Sequence, residues 1–334
     1  MTIPPIAIII LNWNGANDTL ACLDSLTSLT HPNFNVIVVD NGSSDDSLAL
    51  LRPYRAPYPL TLIETGANLG FAEGNNVGVR AALETGADAV LLLNNDTVVD
   101  PYLVSAFVDA AKLHPEGGVF SAKIFYHAEP DKLWYAGAKW LADEQHFQHV
   151  GIGEIDDRKR YEDVVETDYA SGCALFIRAE VINKIGLMDP KFFLTYEESD
   201  WCYRARAADF KCLFVPGAKL WHKVSASFGG VESPLQIYFY SRNILLWAER
   251  YLPRAAYWSL FRKTLRNSIR FSMSPIEDGP LLKRWVWGCL SVWRRLRRDG
   301  DDVTGRARYL GFRDYLLRRF GDCPDEVRCL KVRG

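Results

Sequence analysis

Acidic side chains gather at a few points in this sequence where they can do chemistry. The stretch Val90 to Asp100 reads VLLLNNDTVVD: a short apolar run, then Asn94, Asn95 and Asp96, then apolar residues again. Such a run reads as a strand buried on both faces of a parallel sheet. Its polar end then falls in the crevice outside the carboxyl ends of the strands, where open α/β sheets bind ligands. One carboxylate beside two amides suits a hydrated divalent cation and the phosphate oxygens it carries. The plainer reading is an Asn-rich turn that caps the helix after Pro101. A second cluster, Glu197-Glu198-Ser199-Asp200, stands where a helix starts near Ser199, and acids there also simply complement a helix dipole. His222 follows the last strand beside Trp221, and taken alone it reads as structural.

Position comes from the elements around these residues. Apolar, β-branched runs at Ile6 to Leu11, Phe34 to Val39, Leu60 to Glu64 and Val90 to Leu93 alternate with helical segments. The first strand ends in Asn12-Trp13-Asn14-Gly15, with Asn17 or Asp18 placed to cap a helix through Leu29. The second ends in Asp40-Asn41-Gly42-Ser43-Ser44-Asp45, with Asp45 placed to cap the next helix. After the third comes Asn68-Leu69-Gly70-Phe71-Ala72-Glu73-Gly74-Asn75-Asn76, a Gly/Asn loop opening a helix to about Leu83. This spacing predicts an α/β fold, a mostly parallel sheet with right-handed crossovers. The Asn/Asp/Gly clusters at the strand ends then form one polar pocket. No G-x-G-x-x-G follows the first strand and no P-loop is present, so a nucleotide is held in some other way than in a dinucleotide-binding Rossmann fold.

In the second half, Val119 to Tyr126 reads as a strand and Trp134 to Val150 as containing a hairpin. Glu154 to Asp168 reads as a charged surface loop free to move. Ala170-Ser171-Gly172-Cys173-Ala174 leads into the apolar Leu175-Phe176-Ile177, and Cys212 to Val215 reads as a final strand stopped by Pro216-Gly217. From Pro234 onward the pattern is helical only. Leu281 to Arg298, with three tryptophans and many arginines, suits a helix lying in a membrane interface; the plainer reading is a packed helix with a solvated basic face.

The 334 residues are 48% hydrophobic and 24% charged, an ordinary globular composition. The net charge of −2 conceals an asymmetry: Ser233 to Gly334 carries 21 Lys and Arg against 10 Asp and Glu, and the preceding 232 residues carry 18 against 31. An acidic front and a basic tail imply two surfaces with different partners. We divide the chain at 1–232 and 233–334. The seven cysteines are an odd number without paired metal-site spacing, which reads as reduced cytosolic thiols. The amino terminus has no basic region before its short apolar run, so no signal peptide or anchor is expected. No uncharged run reaches the ~18 residues a membrane span needs.

Taken together the motifs resemble glycosyltransferase family 2, the inverting GT-A enzymes, and within it a rhamnosyltransferase-like branch. Five stretches in order carry the resemblance: the first strand with Asn12-Trp13-Asn14; Val39-Asp40-Asn41-Gly42-Ser43; Asn68 to Ala72 with Gly74-Asn75-Asn76; Asn94-Asn95-Asp96; and Phe192 to Cys202 with His222. A fainter match lies at Tyr240-Ser241-Arg242-Asn243. The resemblance implies a GT-A fold, Rossmann-like, with a C-terminal helical extension. It implies a nucleotide-sugar pocket made by Asn12, Asn14, Asp40, Asn41, Asn68, Gly70, Phe71, Asn75, Asn76, Asn94, Asn95, Ser171 and Gly172. In it Asp40 reads the base, Asn12 and the Gly70-Phe71 loop line the base and ribose, and Ser171 and Gly172 face the donor sugar. Asp96 and His222 would hold a divalent cation, Mg²⁺ or Mn²⁺. Glu198 would be the catalytic base, with Glu197 and Asp200 as its rivals.

Two departures stand out. Asn94 occupies the first acid position of the D-x-D motif, which weakens the metal site. The usual Glu-Asp of the acidic motif is Glu197-Glu198, one methylene longer. The implied activity is inverting transfer of a sugar, rhamnose foremost, from a nucleotide-diphosphate donor to a hydroxyl of a glycan or lipid-linked acceptor, as in building cell-envelope polysaccharide. The expected location is the cytoplasm, peripheral to the inner face of the membrane, with no nucleic acid partner. A non-catalytic nucleotide-sugar-binding scaffold and a nucleotidyltransferase remain as alternatives.

Overall fold

The computed structural model describes residues 5–224, 233–270 and 303–330. These residues divide into two compact units. The first runs up to Phe193 and resumes at Glu197; the second holds Leu194–Tyr196 together with the helices from Pro234 onward.

The first unit opens with β1 (Ile6–Asn12), α1 (Ala16–Ser25), β2 (Phe34–Asp40), α2 (Ser47–Leu51), β3 (Leu60–Glu64), α3 (Gly70–Glu84) and β4 (Ala89–Asn94) in strict alternation. The β-branched and leucine runs of β1, β2 and β4 are buried on both faces, as parallel strands covered by helices must be. It continues through β5 (Thr97–Val99), α4 (Leu103–Leu113), β6 (Gly117–Tyr126), β7 (Leu133–Tyr135), the hairpin β8 (Ala138–Leu141) and β9 (His146–His149), β10 (Val165–Glu166), β11 (Ala174–Arg178), α5 (Ala179–Ile185), α6 (Glu197–Ala207) and β12 (Lys211–His222).

The main sheet has the order β10-β12-β6-β11-β4-β1-β2-β3, with β5 beside β12 and β7 beside β6. Its β3-β2-β1-β4 half is all parallel. The chain winds away from β1 in one direction and then returns to place β4 on its other side, so a crevice opens at the carboxyl ends of β1 and β4. β11 runs antiparallel between β4 and β6.

Three expectations need correcting. The first helix does not reach Leu29: α1 ends at Ser25, and a 3₁₀ turn occupies Leu26–Ser28. Gly15 takes the cap position there, while the Asp18 carboxylate lies 2.5 Å from Lys223 Nζ and Asn17 is exposed. The last strand is not stopped by Pro216-Gly217. The ladder with β6 pairs Val215 with Ala122 and resumes with Lys219 opposite Lys123. A bulge takes up Pro216, whose missing N–H would leave a gap in the ladder, together with the two residues after it. α6 begins at Glu197 rather than near Ser199, which puts both glutamates in its first turn.

The charged segment after Glu154 is tied to the sheet. Lys123, fully buried in β6, places Nζ 3.1 Å from Asp156 Oδ2 and 2.5 Å from Glu162 Oε1. The second unit contains α7 (Pro234–Tyr251), α8 (Arg254–Arg270) and the helix Val303–Leu316. The Leu281 to Arg298 segment lies outside the described residues. Among the described residues no helix is long and apolar enough to cross a membrane, and no cysteine is in a disulfide.

Helix α3 lies close on the sheet because its inner face carries Gly74 and Gly78, one turn apart. A Cβ on Gly74 would come within 2.6 Å of Leu11 Cδ1, and one on Gly78 within 2.5 Å of Ile9 Cγ2. Gly78→Val therefore overpacks a buried contact and is expected to cost about 2 kcal/mol. Thermal unfolding should show a Tm lower by ~4–8 °C, and an unchanged Tm would mean that the helix can back away from the sheet freely.

Candidate active site

The register of the parallel strands brings the polar strand ends together. Asn12 is paired with Asp40, and Leu11 with Asn94, so the ends of β1, β2 and β4 lie at one level. Asn12 and Asp40 are both buried. Asn12 Nδ2 donates to Asp40 Oδ2 at 2.8 Å, and Thr19 Oγ1 donates to Asn12 Oδ1 at 2.7 Å. Ser43 completes the set: its hydroxyl donates to Asp40 Oδ2 at 2.6 Å and its N–H to Oδ1 at 3.1 Å. Oδ1 thus keeps a second lone pair for an incoming donor. Exposed Asn14, at φ +52°, accepts from Ser44 N at 2.8 Å and donates its N–H to Ser43 Oγ at 3.0 Å. Ser43 stood in the motif but not among the expected site residues; its part follows from the tight turn at Gly42, whose φ is +71°.

Several of the expected pocket residues hold loops in place. Asn41 Nδ2 donates to Asn68 Oδ1 and to Gly70 O, both at 3.1 Å, and its Oδ1 accepts from Leu69 N at 3.0 Å. Asn68 also accepts from Gly70 N at 2.9 Å. Asn75 caps inward on Phe71 O at 2.9 Å. Asn76 clamps Met188 from both sides, donating to its carbonyl at 2.9 Å and accepting from its N–H at 3.0 Å. Gly70, at φ +79°, lies so close to Phe193 that a Cβ would meet the ring at 2.6 Å. The Phe71 and Ala72 N–H groups, otherwise without helical partners, donate to Phe193 O at 2.6 and 3.3 Å. Across from them a Cβ on Gly172 would stand 3.2 Å from the Phe71 ring, and Ser171 is buried with its hydroxyl accepting from Cys173 N at 3.3 Å.

Beyond β4, Asn95 turns inward and donates to Thr19 Oγ1 at 3.0 Å. The backbone N–H of Asn94 donates to Cys173 O at 2.9 Å. Asp96 is buried, and its Oδ1 lies 3.1 Å from His222 Nε2. β12 brings the histidine there, pairing His222 with Thr97. The His222 pKa is pushed up to about 10: burial opposes the charge, but the Cys173 sulfur and the Asp96 carboxylate outweigh it. Its Nδ1 is buried without a hydrogen-bond partner. Trp134 packs edge-on against the imidazole, 4.9 Å between centroids, and on its other side against His149 at 4.7 Å. His149 Nε2 lies 2.6 Å from Tyr169 OH, and burial, with the nearby His222 charge, pushes its pKa down to about 4. The sequence marked Trp134 only as part of a hairpin; its place beside His222 follows from β7 pairing with β6, which has no local signal.

The acidic cluster separates into different environments. Asp200 is fully buried and paired with Arg204 Nε at 2.9 Å, while the guanidinium also donates to Ile185 O and Leu187 O at 2.5 and 2.8 Å. That pair ties α6 to the end of α5. Glu197 is buried. Glu198 is half-buried, but its Oε2 is enclosed and without a hydrogen-bond partner. Burial raises its pKa to about 7, against backbone N–H groups at Glu198 and Ser199 that pull it down. Just ahead of the helix, Phe193, Thr195 and Tyr196 take φ values of +62°, +65° and +74°. Each such residue costs roughly 1–3 kcal/mol, and strain of this kind clusters at functional sites.

The arrangement offers a polar crevice at the sheet switch point, a carboxylate–imidazole pair on one side and a proton-avid carboxylate with one unpartnered oxygen. Low-salt glycan biosynthesis hexosyltransferase Agl10 of Haloferax volcanii is 26% identical to this chain over 290 residues, 84% of this chain and 85% of that protein. The dTDP-rhamnosyl transferase RfbF of Shigella flexneri is 25% identical over 276 residues, 77% of this chain and 86% of that protein. Among solved structures, a mannosyltransferase of Pyrobaculum calidifontis in complex with GDP-Man and Mn²⁺ superposes with a TM-score of 0.56 at 15% identity, covering 96% of this chain and 89% of that one. The fold is GT-A. The family model of glycosyl transferase family 2 matches residues 7–185, more than half of the chain, and the protein belongs to that family and is a glycosyltransferase.

Proposed function

We propose that this enzyme transfers a sugar, with inversion, from a nucleoside diphosphate donor to a hydroxyl group of a glycan or lipid-linked acceptor, and that Glu198 is the base. Glu198 carries the reading. An inverting transfer needs one group to take the acceptor's proton as its oxygen attacks the anomeric carbon, and a carboxylate does this best with a pKa near working pH. Glu198 has that pKa and an enclosed oxygen free of competing donors. Asp200, paired with Arg204, is the weaker rival.

On the donor side, Asp40 has one carboxylate oxygen with room for a base N–H, and Asn12, Asn41 and Asn68 keep the surrounding loops in shape. Asp96 and His222, whose Nε2 faces the Asp96 carboxylate at 3.1 Å, are the residues that would hold a divalent cation. Such a cation supplies Lewis-acid stabilisation of the leaving diphosphate. Among the described residues no group of three or more His, Cys, Asp or Glu is placed to hold a metal ion. The likeness to the Shigella enzyme supports dTDP-rhamnose as the donor to try first. The acceptor and a membrane-surface position rest on the basic carboxyl-terminal sequence.

With Glu198 as base, kcat/KM rises with pH through about 7 and falls tenfold per unit below it. Glu198→Gln should lose about 10²–10⁴ in kcat and the acid limb with it, while donor binding by calorimetry stays intact. A variant that keeps wild-type kcat removes Glu198 from the reaction. The same carboxyl has a stability signature. Between the ordinary 4.5 and about 7 the folded protein holds a proton that the unfolded chain has released, so stability falls as pH rises across that window. Glu198→Gln should therefore have the higher Tm at pH 8 and lose that advantage below pH ~4.5.

Donor and cation are read together by thermal shift. At a hundredfold excess over its dissociation constant the right nucleotide sugar adds about 2.7 kcal/mol. With dTDP-, UDP- and GDP-sugars offered in Mn²⁺ and in EDTA, we expect one base class to shift the Tm more in Mn²⁺. Asp96→Asn should erase the difference between the two conditions; a difference that persists in that variant places the cation elsewhere.

A further inference from the structure

Thr195 and Tyr196, two of the left-handed residues before α6, lie in the second unit. Leu194–Tyr196 belongs to that unit, although Glu197 and Glu198, the next residues in the chain, belong to the first. Asn243 of α7 is fully buried. Its Nδ2 donates to Leu194 O at 2.8 Å and to Thr195 O at 2.9 Å, and its Oδ1 accepts from Arg242 Nε at 2.9 Å. The orientation of the amide is decided by chemistry: a guanidinium only donates, so the carbonyl oxygen must face Arg242 and the NH₂ must face the two carbonyls. Arg242 is itself fully buried and anchored on Gly321 O at 2.7 Å. Two rings of α7, Tyr240 and Trp247, pack against Tyr196 at 5.5 and 6.2 Å between centroids.

We propose that Asn243 is a positioning residue: by clamping the Leu194 and Thr195 carbonyls it keeps the strained turn that aims Glu198. A strained backbone persists only where its surroundings over-determine it, and one side chain here grips two successive carbonyls of the turn. This rests on Glu198 being the base.

Asn243→Asp tests the clamp, since it keeps the size and the acceptor for Arg242 but replaces the NH₂ donor with a charged carboxylate oxygen that repels the two carbonyls. The expected result is a kcat at least tenfold lower, a donor affinity by calorimetry within twofold of wild type, a displaced acid limb in the pH profile, and faster amide exchange across residues 193–198. Glu249→Ala is the control: it deletes an ion pair to Arg318 (2.6 Å) on the same helix and should lower Tm without touching kcat or the acid limb. Wild-type kcat and acid limb in Asn243→Asp overturn the proposal, as does the same kcat loss in Glu249→Ala. If Asn243→Asp does not fold, Asn243→Gln, with its amide one methylene further out, must show the kcat loss with donor affinity kept. Wild-type protein that transfers no sugar from any donor defeats the transferase reading of Glu198. Amide exchange still decides the clamp in that case, and unchanged exchange across 193–198 in the variant overturns it.

Discussion

Asn12 and Asp40 face each other at the ends of two buried parallel strands, and the crevice depends on that pairing. A carboxylate this buried is costly unless its oxygens are hydrogen-bonded. Here Asn12 and both the hydroxyl and the N–H of Ser43 meet it. The same bonds fold the two loops that follow β1 and β2 against each other, because Ser43 also receives Asn14 N and because Asn41 N donates to Asn12 O at 2.8 Å. The register does the rest, bringing Asn94 alongside.

Close approach is the second constraint. Glycines at 74 and 78 let α3 lie against β1, and Gly70 lets its first turn meet Phe193. Phe193 O then takes the two N–H groups that the helix start leaves open. The Phe71 ring ends up beside Gly172, so the loop at Asn68 to Ala72 and the approach to α6 are held by one set of contacts.

The carboxylates around this crevice have been given different surroundings. Asp96 faces an imidazole, Asp200 a guanidinium, and Glu198 has one enclosed oxygen that faces no donor. Groups of one chemical kind acquire different tasks in this way: a desolvated carboxyl holds its proton to higher pH, and a paired one serves structure or charge. The acids at 197, 198 and 200 share one helical turn and could not be sorted by sequence, since what distinguishes them is how far the folded chain buries each.

What the sequence determined by itself was local. The four parallel strands, the helices between them and the polar residues at the strand ends follow from apolar runs, glycine and asparagine, because period and turn chemistry are properties of neighbouring residues. The resemblance to glycosyltransferase family 2 was legible for the same reason, as five short motifs in order. The bulge that carries β12 past Pro216 to His222, the tier of Trp134, His149 and Tyr169 behind it, the buried Lys123 and the clamp of Asn243 were decided only in three dimensions. Each joins residues far apart in the chain through strand pairing or side-chain burial, and neither leaves a periodic or compositional trace at either end.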